Sequence, residues 1–210
     1  SPNSLLKYSF LSSCKLIVFA KLEDMSSSAT PFVKIGDVLL AHPLISDKTF
    51  SKSVILITDQ NSDGISGLCL DKPSKLSLKN IFGKEWPDLP VYEGGPVDKD
   101  ALFFIHKCPN IISKSHHIKN EIYWCGDFES MKKGLLNGTV DSTMIKFFIG
   151  YSGWSLDQIN EEIDEESWVV LRKLGSSDLY FEKNVYQKLK THFPDSFRLW
   201  THAPENIEMN

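Results

Sequence analysis

No two of the four cysteines stand at the C-x-x-C spacing that announces most zinc sites, and the chain is too long and too poor in cysteine for a disulfide scaffold. Cys14, Cys69, Cys108 and Cys125 are therefore expected as free thiols in a reducing compartment, which points to the cytoplasm. A long uncharged apolar run is also missing. The most apolar stretch near the amino end, residues 5–22, is broken by Lys7, Lys15 and Lys21, so it does not read as a membrane span, and no small-residue cleavage site follows it. Positive charge is short as well: 23 Lys and Arg face 27 Asp and Glu, for a net charge of −4. Direct binding to nucleic acid is not expected from that balance, because affinity for phosphate backbones comes from concentrated positive surface. No helix-turn-helix pattern, internal repeat or low-complexity tract is present.

At 210 residues the chain can bury a sizeable core, and its 41% hydrophobic and 24% charged residues are ordinary for a globular protein. Met25 precedes Ser-Ser-Ser-Ala-Thr-Pro, an unstructured lead-in. Met25 is the expected natural start, with residues 1–24 as upstream sequence; the alternative is an extra strand or helix packed on the domain. The expected division is an atypical or flexible extension over 1–30 and one domain over 31–205.

Beyond Pro31, strand-like and helix-like segments alternate. Residues 37–42 and 53–58 are apolar runs of the kind that fill buried strands, and residues 47–52 between them suit one helical turn. Asn61–Gly64 is a turn signal leading into a partner strand over 65–70, where Gly67 marks a bulge or a close backbone approach. Residues 73–83 read as a short helix stopped by Gly83. Strands are expected at 91–93, 101–106, 121–126, 143–153 and 168–173. Asp127 is placed to cap a helix over 128–136, with Gly138 just past its end. Residues 182–193 read as a helix with Val185, Leu189 and Phe193 on one face. The stretch Lys107–Lys119, with Lys114, His116 and His117, reads as a solvated basic loop. Many strands with short helices between them predict an α+β (mixed α/β) domain.

Ser155 and Gln158 form the S-x-x-Q pattern of a capping box, with Trp154 and Ile159 in the flanking staple positions. Local structure accounts for most of that motif. Residues 157–166 hold six acids and no base, a solvated helix face or a dock for a basic partner. Gly94-Gly95-Pro96 invites comparison with a phosphate cradle. Pro96, however, has no amide to donate, no G-K-[ST] follows, and Asp98 and Asp100 repel anions. A tight strand-to-strand corner is the main expectation, and such a corner can also wall a ligand groove. Asp71, between a strand and Pro73, suits an Asx-turn, with a general base as the sharper alternative. His42, with Asp47 five residues on, and His106 have no close ligand pair to anchor a metal, and no metal or cofactor is expected. No G-x-S-x-G elbow exists, and Cys69 and Cys125 lie in apolar runs where thiols are usually inert packing.

The segment G-Y-S-G-W (150–154), with Gln158, Ile159, Glu162, Ile163 and Trp168 after it, resembles the signature of the AlgH/YqgE family. Residues 36–57, 64–73, 91–97 and 102–107 resemble that family in the same order. The resemblance runs from about Val33 to about Trp168, and more loosely to about Trp200. It implies a single compact domain with a branched, partly barrel-like mixed sheet surrounded by short helices. Family members are often called transcriptional regulators, after a link to alginate production in one lineage. Two departures stand out: Asp71 where the family usually has Asn, and Ser152 where Ala is common. The first sets a carboxylate beside the family's surface cleft.

The expected function is a non-catalytic regulatory or adaptor domain that binds a protein partner or small ligand in a cleft formed by Asp71, Lys72, Pro73, Gly94, Gly95, Pro96 and Trp154. Any regulation of transcription is expected to be indirect. The alternatives are a hydrolase using Asp71 or His106, and a direct DNA-binding regulator. No membrane association is expected.

Overall fold

The computed structural model describes residues 32–45, 47–62, 64–172 and 176–193; the expected extension over 1–30, Met25 and Cys14 lie outside them. Ten strands are found among the described residues: β1 Val38–Ala41, β2 Val54–Gln60, β3 Ile65–Cys69, β4 Pro73–Ser77, β5 Pro90–Glu93, β6 Val97–His106, β7 His116–Lys119, β8 Ile122–Trp124, β9 Ile145–Trp154 and β10 Trp168–Leu171. Four short α-helices accompany them: α1 Leu78–Phe82, α2 Phe128–Leu136, α3 Leu156–Asp164 and α4 Val185–Leu189. This is a mixed α+β domain, and no helix in it is long and apolar enough to cross a membrane.

The sheet runs β10-β1-β2-β3-β9-β6-β8-β7, and it branches at β9. Ser152, Gly153 and Trp154 of β9 pair with β3, whereas Phe147–Ile149 lie between β6 on one side and the parallel strand β5 on the other. Strand β4 then pairs with β5. The two ends of the path are drawn together by buried Asp37. Its carboxylate meets Lys119 Nζ of β7 and Arg172 Nη1 just beyond β10, each at 3.3 Å, and Lys119 also donates to the Arg172 carbonyl at 2.5 Å. The sheet is thereby curled toward a barrel.

Strand β1 is buried along its whole length because both faces of the sheet are covered there. Val38 and Leu40 join the larger core with Phe103, Phe104, Phe147 and Phe148, while Leu39 and Ala41 join a smaller one with Trp154, Ile159 and Trp168. Period-two alternation sends neighbours to opposite faces, so an unbroken apolar run is what such a strand needs. The Asn61–Gly64 hairpin closes as expected, with Asn61 N donating to the Gly64 carbonyl at 3.0 Å. Gly67 lies opposite Ile57 beside a register shift, and a Cβ on it would sit 2.7 Å from the Leu56 carbonyl oxygen.

Three expectations need correction. Residues 73–77 are strand rather than helix: Pro73 pairs with Tyr92, Ser77 with Pro90, and Ser74 Oγ donates to the Val91 carbonyl at 2.6 Å. The helix begins only at Leu78, after Ser77 and Asn80 close a reciprocal capping box. Residues 116–119 form edge strand β7 against β8 rather than a solvated loop. The helix expected over 182–193 is one short α-helix followed by a 3-10 turn, Lys190–His192, because Asn184 adopts a left-handed conformation (φ 60°) and blocks an earlier start. Its face was anticipated correctly: Val185, Leu189 and Phe193 are buried.

Candidate functional site

Gly94 and Gly95 lie where β5, β6 and β9 come closest. A Cβ on Gly94 would sit 2.2 Å from the Gly150 carbonyl oxygen, so only glycine allows the crossing. The N–H and carbonyl of Gly94 are already engaged. Gly94 N donates to the Ile149 carbonyl at 2.8 Å, and its own carbonyl accepts from Cys69 N at 2.9 Å and Ser152 Oγ at 3.2 Å. The motif is a strand-to-strand corner, and it also walls a groove. A cavity of about 250 Å³ is lined by Lys48, Lys72, Lys99, Glu93, Gly95 and Pro96, with Thr49, Phe50, Cys69 and Ser152 completing it. The 3-10 turn Lys48–Phe50 forms the opposite wall. Asp47 caps it by accepting from Thr49 N at 2.7 Å, and Lys72 Nζ donates to the Thr49 carbonyl.

Of the residues expected to share a cleft, Lys72, Gly95 and Pro96 therefore line one. Gly94 is buried behind it, and Pro73 is paired with Tyr92 in the hairpin. Trp154 does not face the cleft. Its indole is buried behind Phe50, with ring centroids 5.6 Å apart, and donates from Nε1 to Glu162 at 3.0 Å. Asp71 also turns away from it. One carboxylate oxygen accepts from Tyr186 N at 2.9 Å, and the other is buried without a hydrogen-bond partner. Burial raises the Asp71 pKa, opposed by the Tyr186 amide and by Lys146.

Lys146 is the residue that sequence reasoning missed. It sits in β9 with only 4% of its surface exposed. Nζ donates to the Glu182 carbonyl at 2.8 Å and the Tyr180 carbonyl at 3.4 Å, and lies 4.1 Å from the Tyr92 ring centroid. Burial pushes its pKa down to about 8, with Asp71 the main opposing influence. A lysine inside an apolar strand core was the available signal (Ile145-Lys146-Phe147-Phe148), because an isolated charge there must find a partner.

His106 is fully buried, and both ring nitrogens are occupied: Nε2 contacts the Cys125 carbonyl at 2.9 Å, and Nδ1 accepts from Cys108 N at 3.2 Å. Burial pushes its pKa down to about 4. His42 Nδ1 accepts from Leu44 N at 3.0 Å, a local turn contact. His42, His106 and Asp71 thus have separate partners, and no group of three or more His, Cys, Asp or Glu side chains suited to a metal ion gathers among the described residues. Cys69, Cys108 and Cys125 are buried thiols outside any disulfide. Burial raises the pKa of the Cys69 and Cys108 thiols, that of Cys108 to about 11, which makes them poor nucleophiles.

The AlgH-like family model (DUF179) matches residues 38–196. The chain belongs to the AlgH-like family. Among its relatives, a UPF0301 protein of Parabacteroides distasonis is 35% identical over 179 residues, covering 83% of this chain and 90% of the relative. A UPF0301 protein of Cytophaga hutchinsonii is 31% identical over 179 residues, covering 83% and 98%. The solution structure of the AlgH protein from Pseudomonas aeruginosa matches with a TM-score of 0.61 at 19% identity, over 86% of this chain and all of that one. The crystal structure of protein DIP2367 from Corynebacterium diphtheriae matches with a TM-score of 0.59 at 21% identity, over 85% and 95%. At such identities the two structures speak for the fold of this AlgH-like chain alone.

The family segment Trp154–Trp168 also corrects the local reading of α3. Ser155 Oγ accepts from Gln158 N at 3.1 Å, as a cap should, but the Gln158 side chain donates to Glu162 at 2.8 Å rather than returning to Ser155. Glu162 also accepts from the indoles of Trp154 (3.0 Å) and Trp168 (2.7 Å). One member of the acidic helix is therefore a structural anchor rather than part of a solvated face.

Proposed function

We propose that this AlgH-like chain is a non-catalytic regulatory or adaptor domain that binds an acidic group, of a small ligand or of a partner protein, in the cleft beside Gly95 and Pro96. One observation carries the reading: Lys48, Lys72 and Lys99 line that cleft against a single acid, Glu93. A carboxylate or phosphate entering it gains charge-assisted hydrogen bonds from side chains. It does not need the engaged Gly94 amide. The occupied ring of His106 and the Tyr186-bound carboxylate of Asp71 weigh against the hydrolase alternative. Net charge weighs against direct DNA binding, so any effect on transcription runs through a partner or ligand. Three buried thiols outside any disulfide support a cytoplasmic setting. The unit assigned to this role is residues 31–205.

The test is a thermal-shift and calorimetric screen of polycarboxylates, inorganic polyphosphate and an acidic peptide against the full chain. Binding that Lys99→Ala and Lys48→Ala weaken about tenfold, a loss near 1.4 kcal/mol, is the expected result. Both side chains are exposed, so the variants keep the wild-type urea midpoint. No binding across the panel, or wild-type affinity in both variants, overturns the reading.

A further inference from the structure

The lysine cleft does not use the buried amine of Lys146. A second and larger cavity, about 560 Å³, lies on the other side of β5, with Lys146 in its wall. Alternation along β5 separates the two, since Tyr92 faces this cavity and Glu93 the cleft. Tyr92, Phe147, Phe181, Leu89 and Ile145 give the cavity flat, apolar walls. Two of its three acids already have partners: Asp178 pairs with Lys107 at 2.5 Å, and Glu182 pairs with Lys188. Within the lining, three acids face the two lysines, Lys146 and Lys183, so an anion gains little there. The volume suits a small organic molecule.

We propose that Lys146 is a reactive amine that captures small uncharged carbonyl compounds, aromatic aldehydes above all, as a reversible imine in this cavity. The amine can lose its third proton without breaking a hydrogen bond to the protein. The Glu182 and Tyr180 carbonyls accept two hydrogens, and the nitrogen also lies over the face of the Tyr92 ring. With a pKa near 8, about a tenth of the amine is neutral at pH 7, against well under a thousandth for an unperturbed lysine. Desolvation of this kind is a general route to lysine nucleophiles. In the reaction the neutral nitrogen attacks the carbonyl carbon and a C–N bond forms. The carbonyl π pair moves to oxygen, which takes a proton from nitrogen. The resulting carbinolamine breaks its C–O bond and loses water with the second nitrogen proton, leaving C=N. Amine and carbonyl give imine and water, with no oxidant or other co-reactant.

The test treats the full chain with benzaldehyde or 4-carboxybenzaldehyde, traps imines with cyanoborohydride, and measures the modified fraction of each lysine by peptide mass mapping. At pH 7 Lys146 should react about tenfold faster than exposed Lys75 and Lys133, after allowing for the lower nucleophilicity of a less basic amine. Its rate should be half-maximal near pH 8, and benzaldehyde should outpace the anionic aldehyde. In Asp71→Asn, which removes the charge favouring the ammonium, the pH midpoint should fall. Modification of Lys146 no faster than of Lys75, or only after unfolding in urea, overturns the proposal. So does an unchanged midpoint in a folded Asp71→Asn protein. The wild-type measurement needs no substitution at Lys146, and it is independent of anion binding in the lysine cleft.

Discussion

Strand β9 carries Lys146 through the interior in its amino half, and its carboxyl half ends on Trp154, whose indole meets Glu162. The two charges have opposite signs, yet the groups hydrogen-bonded to each are neutral. Lys146 donates to two main-chain carbonyls and sits against a ring face. Glu162 accepts from two indoles and an amide. Depth is what differs: Lys146 is buried, while Glu162 is only half-buried at the end of the sheet. Neutral partners can hold a charge of either sign in place, but they do not replace bulk water. The residual cost at the deeper site appears as lost proton affinity in Lys146.

The largest expected effect comes from forcing the two halves apart. Gly94→Val places side-chain atoms against the Gly150 carbonyl, where even a Cβ is 2.2 Å away. Urea unfolding should show a loss of roughly 3 kcal/mol or more, or no folded protein at all. A wild-type unfolding midpoint would mean that the crossing is slack.

Acid should strike the amino half, where His106 lies opposite Ile145. Its folded pKa is near 4 against an ordinary 6.5, so the unfolded chain takes up the proton first as pH falls. This contribution to stability is intact above pH 6.5 and is lost on the way down to about 4, on the order of 3 kcal/mol in all. Asp71, whose pKa is raised, acts in the opposite direction. A flatter stability profile over that range in His106→Asn than in wild type is the expected result; parallel profiles would remove His106 as the cause.

Glu162→Ala should cost about 1–3 kcal/mol, because the N–H groups of two buried tryptophans lose their acceptor. Glu162→Gln keeps an acceptor oxygen and should cost less. Equal losses in the two variants would show that the charge, rather than the acceptor, is what matters. The smallest effect belongs to Gln158→Ala, a few tenths of a kcal/mol for an exposed i,i+4 hydrogen bond. A larger loss would restore the reciprocal cap that the sequence suggests.

Much of the sheet could be read along the chain because its signals are local. Residues 38–41, 54–58 and 145–149 are apolar enough to serve strands covered on both faces, and Asp127 and Ser155 each cap the helix that follows. Residues 73–77 were misjudged because their conformation depends on pairing with β5, more than ten residues later. His116–Lys119 likewise becomes a strand only against β8. The candidate sites divide in the same way. Gly95, Pro96 and Lys72 announce a corner and a nearby turn, so part of the cleft was visible. Lys146 acquires its character from the carbonyls of Tyr180 and Glu182 and from Asp71, 75 positions earlier in the sequence. No local spacing encodes that meeting.

Because β9 is hydrogen-bonded to β3, β5 and β6, all of which precede it, the sheet has no centre until residue 154 has been made. During vectorial synthesis the hairpins on either side are separate apolar fragments, and the ribosome must deliver the joining strand before they can share an interior. Folding is therefore expected to be slow for a chain of this size, with long-range closure rather than any single helix as its limiting step.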